Sequence, residues 1–181
     1  MSPVDPPADV PTNHAAPPWL RPRAPITSGA AYVESLRGRG LKVHFMGQRI
    51  AEPVDHPMIR PSINAVARTY DLANEDPALA SAVIGASGQR VNRFLHVTES
   101  VADVVAQNKM QRRLGQLTGT CFQRCVGMDA INALYPVTWS IDQVKGTRYH
   151  ARLKEFIAAM QAQNLVIGGA MTDPKGDRSK G

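Results

Sequence analysis

Cys121 and Cys125 are the only cysteines in the sequence, four residues apart in GTCFQRCVGMDAINALYP, residues 119–136. Thiolates are soft ligands, so the pair could hold one metal ion or reach two atoms of an iron–sulfur cluster. On a helix, residues i and i+4 share a face with Cβ atoms about 5–6 Å apart, which suits that chemistry. The same arrangement is poor for a disulfide, because parallel Cβ vectors do not give the required torsion. The competing reading is two small apolar residues in a core. Spacing alone favours the core, since two ligands make an incomplete site. The five histidines, at 14, 44, 56, 96 and 150, offer no paired spacing to complete it, and no third cysteine exists for a radical-SAM motif.

Two other segments could do chemistry. The chain closes on LVIGGAMTDPKGDRSKG, an apolar, strand-like run followed by a polar turn. There Lys175 and Arg178 bring positive charge, Gly176 frees the backbone and Pro174 fixes the turn, a combination that suits an anionic ligand. A loose chain end is the alternative. Gly119 and Gly127 flank the cysteines and permit close helix packing or close approach of a cofactor. His44 reads as a surface residue on a strand, and His96 as a structural histidine after an apolar patch.

Positioning these residues requires helices. ITSGAAYVESLRGRG reads as a helix capped by Thr27 or Ser28, with Tyr32, Val33 and Leu36 on one face and Gly38 and Gly40 at its end. LKVHFMGQRIAEP alternates and turns at Met46-Gly47, a short hairpin. RPSINAVARTYDLAN predicts a helix capped by Ser62, with Ile63, Val66, Ala67 and Tyr70 on a stripe. Another helix is expected from about 99 to 117, with Val101, Val104, Val105, Met110, Leu114 and Leu117 inward. The cysteine segment reads as a further helix, stopped near Pro136, with Arg124 on another face. TRYHARLKEFIAAMQAQN predicts a last helix that buries Tyr149, Leu153, Phe156, Ile157 and Met160, with His150 and Arg152 on its wet side. LASAVIGASGQRVNRFLHV is broken by Gly85 and Gly88 and has no clear pattern. The fold class is mainly α, a helical bundle with one small β-hairpin.

A chain of 181 residues with 43% hydrophobic content supports one domain with a real core. Residues 1–25 hold eight of the fourteen prolines and read as a disordered arm, leaving 26–181 as the domain. Two cysteines, no basic and apolar leader and no apolar run of about 20 residues point to a cytoplasmic protein without a membrane segment. The net charge of +6 is scattered and aromatic residues make up only 6%, which argues against nucleic acid. The basicity reads as a solvated surface, with an acidic ligand such as a phosphate as a further use for it.

TGTCFQRCVGMDAINALYPVTWSIDQVKGTRYH and GGAMTDPKGDRS together resemble the 4-hydroxybutyryl-CoA dehydratase (vinylacetyl-CoA Δ-isomerase) branch of the 4-hydroxyphenylacetate 3-hydroxylase family. The segment from ITSGAAYVESLRGRG to VARTYDLA is similar to that family's N-terminus, so the likeness spans nearly everything after the proline arm. The resemblance implies the N-terminal helical domain of an acyl-CoA dehydrogenase-like fold, ending where a β domain begins. It implies that Cys121 and Cys125 are two ligands of a [4Fe-4S] cluster. It also implies that Met171, Thr172, Asp173, Pro174, Lys175, Gly176, Asp177 and Arg178 line FAD, with Asp177, Arg178 and Ser179 at an acyl-CoA substrate. The implied reaction is dehydration of 4-hydroxybutyryl-CoA to crotonyl-CoA, with vinylacetyl-CoA isomerisation.

The family continues into a β-rich domain and a C-terminal helical bundle, which carry a His and a third Cys for the cluster, the catalytic bases and most of the flavin site. The expectation is therefore half of a split enzyme, completed by a complementary chain in a homo- or hetero-oligomer. Two alternatives stand beside it. One is an inactive remnant or binding module. The other is a flavin-dependent 4-hydroxyphenylacetate 3-monooxygenase component, which conflicts with the two cysteines because that branch carries an Arg and a Tyr on this helix.

Overall fold

The computed structural model describes residues 21, 23–85 and 87–169. The proline-rich arm up to residue 20 and the candidate ligand-binding turn at 171–179 lie outside them.

The first helix, α1 (Gly29–Ser35), starts where the Ser28 hydroxyl accepts from the Ala31 amide at 3.1 Å. It crosses α2 (Arg60–Glu75) at Gly29, whose amide donates to Asp71 Oδ1 at 2.8 Å. A Cβ at that position would overlap the Asp71 carboxylate and the Ala67 carbonyl, so only glycine permits the approach. Between the two helices lies the expected hairpin, β1 (Val43–Phe45) and β2 (Gln48–Ile50), paired Val43 with Ile50 and Phe45 with Gln48. Its turn places Met46 at φ 50° and Gly47 at φ 77°, the primed geometry that matches strand twist. His44 is exposed on it, as expected.

α2 begins two residues before the expected Ser62 cap. Its N-cap is Ile59, without a side-chain bond, and Pro61 sits in the first turn, where a missing N–H costs nothing. Val66, Ala67 and Tyr70 are buried on it, while Ile63 is half-buried. The segment without a clear pattern resolves into α3 (Pro77–Ala80), capped by Asp76, and a second antiparallel hairpin. In it β3 (Ser81–Val83) pairs with β4 (Arg90–Asn92), Ala82 opposite Val91. The expectation of a single hairpin is thus corrected to two. Short, half-buried strands carry too few alternations to be seen by period alone. A 3-10 turn, Arg93–Leu95, follows, and the Arg93 guanidinium donates to the Ala78, Leu79 and Ser81 carbonyls.

Helix α4 (Val101–Thr118) runs from a Ser100 cap to Gly119 in the left-handed region at φ 61°. Gln107, Met110 and Leu114 are its buried side chains, while Val101, Val104, Val105 and Leu117 are exposed. The inward placement of those four is wrong. Valines are counted as core by composition, yet the stripe this helix buries is 107–110–114. Helix α5 (Cys125–Lys145) passes through Pro136 and does not stop there. The proline removes one hydrogen bond out of a 21-residue ladder. Its far end is held by the Asp142 carboxylate, which accepts from Thr147 Oγ1 and from the Tyr149 and His150 amides at 2.7–2.9 Å. Those bonds also start α6 (Tyr149–Gln163). On α6, Ile157 and Met160 are buried and Leu153 and Phe156 half-buried, but Tyr149 is exposed. Arg152 is exposed as expected; His150 is half-buried, edge-on to Tyr135 at 4.6 Å and 3.2 Å from Thr138 Oγ1.

The main core joins Ala65 and Leu72 from α2, Phe94 from the 3-10 turn, Met110 and Leu114 from α4, Phe122 from the cysteine connection and Met128 from α5. Each large apolar side chain so buried stabilises the fold by about 1.5–3 kcal/mol. No described helix is long and apolar enough to cross a membrane.

Candidate functional site

The cysteines do not sit i, i+4 on a helix. Cys121 lies in the connection after α4, and Cys125 is the first residue of α5. Gly119 ends one helix in the left-handed region, and Gln123 at φ 60° prevents the next from starting before residue 125. A non-glycine residue held there costs about 1–2 kcal/mol, and such strain gathers at functional sites. Phe122, between the thiols, is buried and anchors the connection by packing against Phe94, with ring centroids 5.5 Å apart.

Both thiols line one cavity of about 300 Å³, with Tyr32, Ile63, Val126, Val166 and Gly169 among its walls. Cys121 is exposed and Cys125 half-buried; neither is in a disulfide. Burial raises the Cys125 pKa, and the neighbouring Cys121 raises it further through its charge and a thiol hydrogen bond. The Val126 and Cys125 amides at the start of α5 pull the other way, as helix N-termini do for an anionic sulfur. Two adjacent thiols beside a cation would both ionise, which is the chemistry of an iron or zinc ligand pair. Among the described residues no group of three or more His, Cys, Asp or Glu is gathered, so the donor set here is two.

The cavity's outer wall is the segment after α6. Residues 165–169 form no strand, against expectation; they run as irregular chain across the start of α5. A Cβ on Gly127 would overlap the Ile167 carbonyl, and one on Gly169 would overlap Val126. Gly127 therefore serves close packing, as its position beside the cysteines implied, while Gly119 serves as a helix end with open space around it.

Arg124 was expected on another face and is instead 1% exposed. Its guanidinium donates to Thr69 Oγ1 at 3.0 Å and the Leu165 carbonyl at 3.3 Å, and lies 4.7 Å from the Tyr70 ring centroid and 5.1 Å from that of Phe94. No carboxylate among the described residues pairs with it. Burial lowers its pKa, opposed by Tyr70 and Tyr32. Tyr70 stacks on Tyr32 at 5.4 Å and donates to the Asn164 carbonyl at 2.8 Å. Arg124 thus ties α2, the cysteine connection and the 165–169 wall together. Nothing in residue type or spacing marks a buried arginine, and sequence reasoning missed it.

His96 is buried, and its carbonyl accepts from Asn132 Nδ2 at 3.3 Å, in keeping with a structural role. The proposed FAD and substrate residues, Met171 to Ser179, lie beyond the described residues.

The family model for the N-terminal part of 4-hydroxyphenylacetate 3-hydroxylase matches residues 28–181, from the α1 cap through the cysteine connection. The chain belongs to the 4-hydroxyphenylacetate 3-hydroxylase family. Within that family it is 51% identical over 156 residues to 4-hydroxybutyryl-CoA dehydratase/vinylacetyl-CoA-Δ-isomerase of Clostridium aminobutyricum, covering 84% of this chain and 32% of that protein. The structure of an oxygen-tolerant archaeal 4-hydroxybutyryl-CoA dehydratase from N. maritimus superposes with a TM-score of 0.80 at 67% identity, covering 86% of this chain and 31% of that one. The oxygenase component of 4-hydroxyphenylacetate 3-monooxygenase, solved with FAD and 4-hydroxyphenylacetate, gives a TM-score of 0.56 at 18% identity, covering 84% of this chain and 31% of that one. The last likeness shows the shared fold alone. The chain spans about a third of the length of each relative.

Proposed function

We propose that this chain is the N-terminal part of a 4-hydroxybutyryl-CoA dehydratase, which converts 4-hydroxybutyryl-CoA to crotonyl-CoA and isomerises vinylacetyl-CoA. The observation that carries the reading is the thiol pair of Cys121 and Cys125 on one cavity, in a chain 51% identical to a dehydratase of that name. The pair fits half of a [4Fe-4S] donor set. Both sulfurs line the cavity, and bound iron would favour the thiolate form that coordinates it. The remaining ligands come from the two thirds of the fold that this chain does not span. When bound, the cluster supplies a Lewis acid for a leaving hydroxyl, and FAD supplies electron transfer that acidifies an otherwise unreactive C–H bond.

The described residues position and enclose. The start of α5 fixes Cys125, the strained Gln123 connection turns Cys121 toward the same space, and Phe122 and Arg124 pin that connection from below. The apolar walls Ile63, Val66 and Val166 keep water from the reacting end of a substrate. In this reading Met171, Thr172, Asp173, Pro174, Lys175, Gly176, Asp177 and Arg178 line FAD, and Asp177, Arg178 and Ser179 meet the acyl-CoA. The working enzyme is an oligomer that includes the remaining domains, in the cytoplasm.

The test is co-production of this chain with the remaining two thirds of the archaeal relative, followed by assay of crotonyl-CoA from 4-hydroxybutyryl-CoA. Turnover by the pair and none by either part is the expected result. An assembled, flavin-loaded pair that hydroxylates a phenol and leaves 4-hydroxybutyryl-CoA untouched would reverse the assignment.

A further inference from the structure

Cys121 and Cys125 carry a second chemistry that their spacing conceals. On a continuous helix, thiols four residues apart point the same way and do not reach the torsion of a disulfide. The chain is not a continuous helix here. α4 ends at Thr118, Gly119 turns at φ 61°, Gln123 turns again at φ 60°, and α5 opens only at Cys125. One cysteine belongs to a connection and the other to a first helical turn, so the parallel arrangement that opposes a disulfide is gone.

Both side chains line one cavity, and they lie close enough for a hydrogen bond between the thiols. Both are free, Cys121 exposed and Cys125 half-buried. Closing that contact to an S–S bond of about 2.05 Å asks for rotation of two short side chains. The connection holds still while they rotate. Phe122 is buried against Phe94, and Arg124 is buried beside the Tyr70 and Phe94 rings. Access is unequal, which sets an order: the exposed sulfur meets a reagent first, and the half-buried one finishes the exchange.

We propose that Cys121 and Cys125, when no metal holds them, close into a reversible disulfide by exchange with a small disulfide such as oxidised glutathione. The Cys121 sulfur attacks one sulfur of the reagent, and a first small thiol leaves with the proton that Cys121 gives up. The Cys125 sulfur then attacks Cys121 Sγ in the mixed disulfide, and a second small thiol leaves with the Cys125 proton. Two protein thiols are oxidised and one small disulfide is reduced to two thiols. The closed pair has no thiolate to offer a metal, and a thiol reductant restores both. The redox state of the thiol pool thus decides whether this pair is open for filling. The disulfide stands on the geometry alone; its effect on a cluster rests on the dehydratase reading.

The experiment equilibrates the reduced, metal-free 181-residue chain with reduced and oxidised glutathione at a series of ratios, quenches with acid and reads the intact mass. The expected product is a monomer lighter by two hydrogen atoms, outnumbering the glutathione adduct about tenfold. Chain unfolded in urea has the same spacing without the fold, and its closure constant should be about tenfold lower. Cys125→Ser should stop at the adduct on Cys121, and Cys121→Ser should form its adduct on Cys125 more slowly. Serine is close to cysteine in size, and circular dichroism checks that both variants keep the fold. Adducts or linked dimers without an internal disulfide, or equal closure in folded and unfolded chain, would overturn the proposal. Iron per assembled complex is read separately, so a failure of the dehydratase reading there would leave the disulfide standing.

Discussion

Arg124 brings a guanidinium into a site where carbonyl, hydroxyl and aromatic faces replace a carboxylate. Arginine stays charged under such conditions, so its partners must be kept. Truncation by Arg124→Ala should destabilise the chain by about 3 kcal/mol, from lost packing and from orphaned Thr69 and Leu165 groups. Arg124→Lys should recover little of that, since an ammonium cannot span both acceptors and stack on Tyr70. Urea unfolding monitored by circular dichroism reads both. Equal stability of Arg124→Ala and the parent would mean that the cation ties nothing together. Tyr70 beside it has its pKa pushed up to about 12 by burial. A folded pKa above the unfolded value of 10.0 favours the neutral, folded form, so that contribution is complete below pH 10.0 and disappears as pH rises toward about 12. Stability should therefore fall across that window, and Tyr70→Phe should flatten the fall while losing about 1 kcal/mol with the hydrogen bond to Asn164. A series of unfolding curves from pH 8 to 12 checks the sign.

At the scale of elements, the wall across α5 depends on glycine. Gly127→Ala would drive a methyl into the Ile167 carbonyl, so the 165–169 segment must move away from the cavity. A loss of about 1–3 kcal/mol is expected, with a chemical-shift change at Val126, Val166 and both cysteines. An unperturbed variant would show that the close approach is not needed. Much of this layer was legible in the sequence. Ser28 caps α1 as its type dictates, and Met46-Gly47 makes the turn that its residues favour. The extent of α5 was not legible, because a proline's local penalty says nothing of the Asp142 bonds that hold the helix beyond it. Nor was the break between the cysteines. Spacing of four reads as helix, whereas Gln123 in the left-handed region is set by tertiary packing around Phe122 and Arg124. The pairing of the cysteines on one cavity survives that error, because the bend brings the two thiols together by a different route.

The whole molecule presents apolar surface on two helices. Val101, Val104 and Val105 on α4, and Leu134, Val137, Trp139 and Val144 on α5, are exposed. In relatives about three times as long, the remaining domains must find faces to pack on. The resemblance was legible because two long motifs carry it. The buried arginine and the second hairpin were not, since they arise from contacts between distant segments. The central claim is that Cys121 and Cys125 hold iron together with ligands from the rest of the fold. The direct measurement is iron per assembled complex, made anaerobically, for the parent, Cys121→Ser and Cys125→Ser, with assembly checked by size. The account predicts about four irons for the parent and a loss of most of them in each variant, with assembly intact. Full iron and full turnover in both variants would make the cysteines core residues and contradict the account.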